Sequence, residues 1–344
     1  MIGVYRGYTV GVVIPAYNEQ GFVGDVIETV PSFVDRVFAI DDGSTDGTWA
    51  EIQESAKSFN QTSATKSLAE VTATDGGVTD GRRVVPIRHE QNRGVGGAIK
   101  TGYKHALEEG LDVTVVLGGD GQMDPDFLPR ILDPIVEGKA DYAKGNRLIY
   151  SEYRHDMSTW RFFGNSILTF LTKIASGYWK MMDPQNGYTA ISNHALENVD
   201  IDDMYEYYGY CNDLLVKLNA KGMRVADVAI PAKYGDEQSH IEYPAYIRNV
   251  STMLLRNFLW RLKTRYLVLD FHPLALFYCF GAIASALGTV GVMWSVYSWK
   301  RLDNTLFVRV ALSSLLFITG SLFLLFAMLF DMQANEDREV QIYE

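Results

Sequence analysis

Residues 111–126, LDVTVVLGGDGQMDPD, set an apolar run (Val113, Val115, Val116, Leu117) directly before Gly118-Gly119-Asp120-Gly121-Gln122. A buried strand that ends this way delivers the Asp120 carboxylate and the Gln122 amide oxygen to one sheet edge, where open α/β sheets bind ligands. The glycines, Gly119 among them, let a bulky ligand approach the backbone closely. Hard oxygen donors on such a turn suit Mg²⁺ or Mn²⁺ shared with a diphosphate. An ordinary strand followed by an Asp/Gly turn has the same composition, so other segments must decide.

Two further strand ends carry chemistry: Pro15-Ala16-Tyr17-Asn18-Glu19 and Asp41-Asp42-Gly43-Ser44. In a parallel sheet all three ends line one crevice. Tyr17 offers a ring, and Glu19 and Asp42 offer carboxylates that accept from a uracil or guanine imino N–H and from ribose hydroxyls. There is no Walker loop. Gly94-x-Gly96-Gly97 neither follows the first strand nor has a ribose-binding acid downstream, so it is a weak dinucleotide fingerprint.

The elements that must position these groups alternate in type. Residues 8–16 read as a buried strand, followed by a helix from Asn18 to about Val30 with Asn18 or Glu19 near its cap. Val34–Ile40 is a second strand, with a helix from Thr48; Val84–Arg88 is a third, with a helix to about Glu109. Strand 113–117, helix 126–137 and strand 141–145 follow. The pattern predicts an α/β fold with a doubly wound, mostly parallel sheet. Residues 57–82 are polar and aperiodic, which predicts a long surface insertion.

At 344 residues, the chain has room for roughly two domains of about 150 residues each. A formal charge of −11 argues against a nucleic-acid binder, because nothing would neutralise a phosphate backbone. Cys211 and Cys279 lie far apart, which disfavours a disulfide framework or a zinc site. Met1–Arg6 leads straight into a strand, so no signal peptide is expected. Residues 274–299 and 310–330 are uncharged, each long enough to cross a bilayer core that needs about 20 residues. The short linker between them predicts a hairpin. Arg248, Arg256, Arg261, Lys263 and Arg265 precede it, against Lys300, Arg301 and Arg309 in the linker; the bias predicts an integral membrane protein with its N-terminal domain facing the cytoplasm. Residues 156–176 carry an apolar stripe that suits either a sheet-covering helix or one at a membrane interface, and 245–270 read as lying along the bilayer. The tail 331–344 is expected to be polar and loose.

Read together, VVIPAYNE (12–19), DDGSTDGT (41–48), NRGVGGAIKTG (92–102), GDGQMDPD (119–126), GNR (145–147) and DPQNGYTAIS (183–192) resemble the family 2 glycosyltransferases with the GT-A fold. The likeness is to the polyprenyl-phosphate branch related to dolichyl-phosphate mannose synthase, and it runs from about Val10 to Ile241. It implies a transferase domain over 1–241; the hydropathy pattern adds interfacial helices over 242–272, two transmembrane helices within 273–330 and a tail over 331–344, and the membrane hairpin suits the likeness. It implies that Pro15, Tyr17, Glu19 and Asp42 hold the nucleoside of a UDP- or GDP-linked sugar, with Asp120 and Gln122 on the diphosphate and its Mg²⁺ or Mn²⁺. Gly119 at the strand end and Gln185 in its Pro/Gly turn are placed to line the same nucleotide-sugar site, Gln185 toward sugar hydroxyls. The resemblance implies that Arg147 faces the anionic donor or acceptor. From the residues themselves, Arg147 and Arg161 are the candidates for the acceptor phosphate, with His240 as a substitute for the family's later cationic segment. Lys144 is a weaker choice.

The chain departs from the family at two places. Gly118 stands where the family often has the first Asp of Asp-x-Asp, leaving one protein carboxylate for the metal. The family's later Arg…Gly-x-Ser-Lys segment is here Tyr234–His240. If the acceptor is a lipid phosphate, its oxygen is already ionised and the transfer, an inverting displacement, needs no base. A sugar-hydroxyl acceptor on a lipid-linked glycan would make Asp213 a catalytic base. An inactive nucleotide-sugar-binding protein is a third reading, prompted by Gly118.

Overall fold

The computed structural model describes residues 5–71, 83–149, 159–231, 243–302 and 306–343. Nine of the elements form the doubly wound half: β1 (Val10–Ala16), α1 (Val23–Thr29), β2 (Arg36–Asp41), α2 (Thr48–Val71), β3 (Val84–Arg88), α3 (Val95–Glu108), β4 (Val113–Val116), α4 (Leu128–Val136) and β5 (Tyr142–Asn146). Then come α5 (Thr159–Ser176), β6 (Thr189–Ser192), α6 (Asn193–Asn198), α7 (Tyr210–Ala220) and β7 (Val225–Ala229). The chain closes with α8 (Tyr243–Lys263), α9 (Leu274–Leu302), α10 (Leu306–Asn335) and β8 (Glu339–Ile342).

The eight strands form one sheet in the order β3-β2-β1-β4-β6-β5-β7-β8. Only β6 runs antiparallel to its neighbours β4 and β5. Alternation along the strands feeds two cores. Val12, Ile14, Val37, Ala39, Val115 and Leu117 pack with Val23 and Ile27 of α1, Ile52 of α2 and Leu128 and Ile131 of α4. Val13, Phe38, Ile40 and Val116 face Ile99 and Tyr103 of α3 and Leu214 and Leu215 of α7 on the other side. Burial on both faces is what a near-continuous apolar strand predicts. The chain leaves β1 toward β2 and β3, then returns to place β4 on β1's other flank. The winding therefore reverses at the paired strands β1 and β4, the switch point at whose carboxyl ends such folds bind ligands.

Four expectations need correction. The helix after β1 starts at Val23, and Asn18 does not cap it. Asn18 sits at φ 56° and its side-chain oxygen accepts from the Thr45 backbone N–H at 2.9 Å. The Glu51 carboxylate instead accepts from Gly21 and Gly24, at 2.7 and 2.8 Å. Second, α2 continues to Val71, so residues 57–71 of the expected insertion are helical; residues 72–82 lie outside the described ones. Third, the tail is not loose: α10 runs to Asn335, and β8 extends the sheet beside β7. Glu339 there accepts from the backbone N–H groups of Trp179, Lys180 and Met181 at 2.7, 2.7 and 3.1 Å.

The fourth concerns the cations before the hairpin. Arg261 and Arg265 are buried, while Arg248, Arg256 and Lys263 are exposed. Arg261 donates to both oxygens of Asp331, at 3.0 and 2.7 Å. Tyr266 and Asn335 donate to the same carboxylate, and Asn219 of α7 donates to Asn335 at 2.9 Å. This buried polar network joins the sheet domain to the hairpin: both terminal nitrogens of Arg261 find acceptors, while its Nε has no partner among the described residues. Helices α9 and α10 are long and apolar enough to cross a membrane, and only 17% and 11% of their most apolar stretches are buried. A soluble core helix would be covered. Glycines let the two helices close on each other: a Cβ on Gly288 would meet the Phe317 backbone at 2.5 Å, and one on Gly320 the Ser285 nitrogen at 2.4 Å.

Candidate active site

The switch point brings the three expected strand ends together. Gly119 donates from its N–H to the Pro15 carbonyl at 3.1 Å, and Asp42 donates to the Ala16 carbonyl at 2.8 Å. A Cβ on Gly119 would lie 2.9 Å from the Pro15 oxygen, so this turn needs glycine to lie against β1. Tyr17 is 44% exposed at the mouth, a ring held at the edge rather than in the core. The backbone N–H of Glu19 donates to the Thr48 hydroxyl at 2.8 Å, which pins its loop to the start of α2.

Asp120 folds back on its own turn: its Oδ1 accepts from the Gln122 N–H at 3.0 Å. Burial raises its carboxyl above the usual range, with only backbone N–H groups pulling the other way. No cationic side chain among the described residues pairs with it, and no three carboxylate, His or Cys side chains gather to form a ready metal cage. The donor set therefore fits a hard cation held by one carboxylate and a ligand's own oxygens. Gly118 has a local reason too, because a Cβ there would fall 2.8 Å from Asp120 Oδ1.

The ends of β5 and β6 reach the same sheet edge. Arg147 donates to Asp183 from Nε at 2.8 Å and from a terminal nitrogen at 3.2 Å. Burial pushes the Asp183 carboxyl up, but the charge and hydrogen bonds of Arg147, with the nearby charge of Lys144, together hold it below the usual range. The turn 183–188 is tied to the Asp120 loop by Tyr188, whose hydroxyl donates to the Asp124 carbonyl at 2.9 Å. Gln185 lies in that turn; its amide nitrogen is buried and has no partner among the described residues. Beneath Arg147, Lys144 is fully buried, 3.2 Å from Asp227, and donates to the Asp183 carbonyl. It is a core strut with no exposed surface.

Asp213 opens α7. Its carboxylate accepts from the Tyr205 N–H at 2.9 Å and from Asn257 of α8 at 2.6 Å, and it pairs with Lys217 at 3.0 Å. The glycine loop before α3 does not cradle an anion. Gly97 donates to the Glu206 carbonyl at 2.9 Å, and a Cβ on Gly96 would lie 2.3 Å from the Tyr205 oxygen. Lys100 and Arg93 fix the Glu206 carboxylate at 2.7 and 3.0 Å. Arg161 lies on α5, and His240 falls outside the described residues. Helix α5 packs on α7 and α8 through Leu168 and Ala175, and leaves Ile167 and Phe170 exposed, so it both covers the domain and presents an apolar edge.

Two residues that hold candidate site groups were not singled out by the sequence reading. His89 follows β3 and holds Asp42 at 2.7 Å, and Asp183 orients Arg147. Asp183 was within a recognised motif; His89 had no signal beyond its place at a strand end.

A sheet whose winding reverses at β1/β4, with Asp42 and Asp120 at its carboxyl edge, is that of a GT-A-type glycosyltransferase. The chain belongs to glycosyl transferase family 2, whose pattern its residues 11–200 match. It is 30% identical over 223 residues to the UDP-N-acetylglucosamine–dolichyl-phosphate N-acetylglucosaminyltransferase of Methanococcus voltae, covering 64% of this chain and 84% of that one. It is 29% identical to the polyprenol monophosphomannose synthase of Mycolicibacterium smegmatis, covering 64% and 75%. Among solved structures, the glucosyl-3-phosphoglycerate synthase of Mycobacterium tuberculosis with Mn²⁺, UDP and glucosyl-3-phosphoglycerate superposes with a TM-score of 0.50 at 20% identity, covering 73% and 80%. That likeness shows the fold.

Proposed function

We propose that this enzyme moves one hexose from a nucleoside-diphosphate sugar to a polyprenyl, dolichyl-type phosphate at the cytoplasmic membrane face, inverting the anomeric carbon. One observation carries the reading. The same sheet edge holds a carboxylate without a cationic partner among the described residues, Asp120, and a guanidinium, Arg147, on the adjoining loop. Names of relatives from Methanococcus voltae and Mycolicibacterium smegmatis support the lipid-phosphate acceptor.

Asp120 and Gln122 would hold Mg²⁺ or Mn²⁺, and a bound divalent cation neutralises charge on the departing diphosphate. Tyr17, Glu19 and Asp42 hold the nucleoside, while Pro15 and Gly119 shape the wall beside it. Gln185 contacts sugar hydroxyls. Arg147, with Arg161 and His240, draws the acceptor phosphate toward the donor. One phosphate oxygen then bonds to the anomeric carbon as the bond to the diphosphate breaks, and the electron pair leaves with the nucleoside diphosphate. No proton moves, so positioning and charge neutralisation suffice. The engagement of both Asp213 oxygens supports a positioning role for that residue. Exposed Arg248, Arg256 and Lys263 on α8 support the cytoplasmic placement.

The test is to incubate membranes with radiolabelled donor sugars and extract the lipids. Label in a mild-acid-labile glycosyl phosphoryl lipid is the expected result. Label in a glycan lipid without that lability would count against it.

A further inference from the structure

Asp42 is 2% exposed, and its two oxygens are not equivalent. Oδ1 accepts from His89 Nδ1 at 2.7 Å and from the Arg93 backbone N–H at 2.9 Å. A carboxylate oxygen has about two lone-pair positions, so Oδ1 is saturated. Oδ2 accepts from no donor among the described residues. The arrangement is built rather than incidental. The His89 side chain is 8% exposed, and its Nε2 lies 2.9 Å from the Thr101 hydroxyl, which itself lies 3.1 Å from the Gly97 carbonyl on α3. The loop carrying Arg93 lies directly on the turn after Asp42: a Cβ on Gly43, at φ 74°, would meet the Asn92 nitrogen at 2.9 Å.

We infer that His89, by filling one oxygen of Asp42, makes the base site selective for uracil over guanine, so that the donor is a uridine diphosphate sugar. This rests on the proposed nucleotide-sugar reading. Uracil presents one imino N–H, which a single free carboxylate oxygen satisfies. Guanine presents two parallel donors, N1–H and the N2 amine, which match a carboxylate only when both oxygens are open. With Oδ1 filled, the N2 amine is buried without an acceptor, and sites discriminate strongly against such an unpaired group. Cytosine would set its N3 lone pair against Oδ2.

Calorimetry on the full-length protein in detergent with Mn²⁺, titrating UDP, GDP and CDP, tests this. UDP binds about tenfold or more tightly than GDP, and CDP weakest, as the loss of a hydrogen bond to a charged group requires. His89→Ala frees one of the two lone-pair positions on Oδ1, the Arg93 N–H keeping the other, weakens UDP and moves the UDP:GDP ratio toward one; His89→Gln, which keeps an N–H donor for Asp42, restores part of the ratio. Thermal unfolding checks that each variant folds, and if His89→Ala does not, the wild-type ratio and His89→Gln decide. GDP binding the wild type as tightly as UDP, or a ratio unmoved in the folded variants, overturns the inference. Failure of every nucleotide to bind the wild type overturns the nucleotide-sugar reading itself, a separate outcome.

Discussion

Arg147 and Asp183 form a two-point contact at the mouth of the crevice, with the guanidinium donating to both carboxylate oxygens at 2.8 and 3.2 Å. Asp183 is 2% exposed, so the arginine is aimed from below by a buried partner. A planar fork held this way loses little entropy when it binds a phosphate.

Asp183→Asn keeps the shape and removes the charge. We expect KM for the lipid phosphate to rise about tenfold while nucleotide affinity stays within about twofold, since charge-assisted bonds are roughly twice as strong as neutral ones. Steady-state kinetics with varied acceptor, beside nucleotide calorimetry, reads both. Loss of nucleotide binding would show that Asp183 supports the whole pocket instead.

Asp331→Ala leaves Arg261 charged and buried with no counter-ion. Breaking one side of a buried pair costs about 3–5 kcal/mol. Thermal unfolding in detergent should show a large loss, and Arg261→Met with Asp331→Leu should recover much of it. If Asp331→Ala is silent, the network does not hold the domain to the hairpin.

Burial pushes the Glu339 carboxyl up to about 7, against the three backbone N–H groups that favour its charged form. Its folded-state value lies above its ordinary 4.5, so the folded protein binds more protons between these limits. Glu339 therefore makes stability fall as pH rises from about 4.5 to about 7. Denaturant unfolding across that range should show the slope, and Glu339→Gln should flatten it. An equal slope in the variant would remove Glu339 as its source.

Asp213→Asn tests the acceptor class. With a phosphate nucleophile and no base, turnover should stay within about tenfold of wild type, because general-base loss typically costs about 10²–10⁴. A loss of that larger size would favour a hydroxyl acceptor.

Much of this architecture was readable in the chain because local pattern and global fold agree. The runs at Val12–Ile14, Val37–Ile40 and Val113–Val116 are buried on both faces and read as strands from composition alone. Strand β6 is four residues, TAIS, too short to carry a period, and β8 hides in a polar tail. Asp331 looked like the start of solvent because its partner Arg261 lies 70 residues earlier, where only folding brings them together. Helix α2 has no apolar stripe beyond its first turns, so periodicity could not extend it. Asp120 and Asp42 were legible at strand ends and Arg147 through the GNR motif; His89 and Asp183 hold Asp42 and Arg147 through space, which spacing does not encode.

The most direct measurement compares wild type with Asp120→Ala for transfer of labelled hexose from donor to polyprenyl phosphate, with Mn²⁺ titrated in both. The account predicts wild-type transfer that depends on the metal and a variant slower by about 10²–10³, the size seen when one transition-state charge stabiliser is removed. Transfer by the variant at wild-type rate, with unchanged metal response, would contradict it.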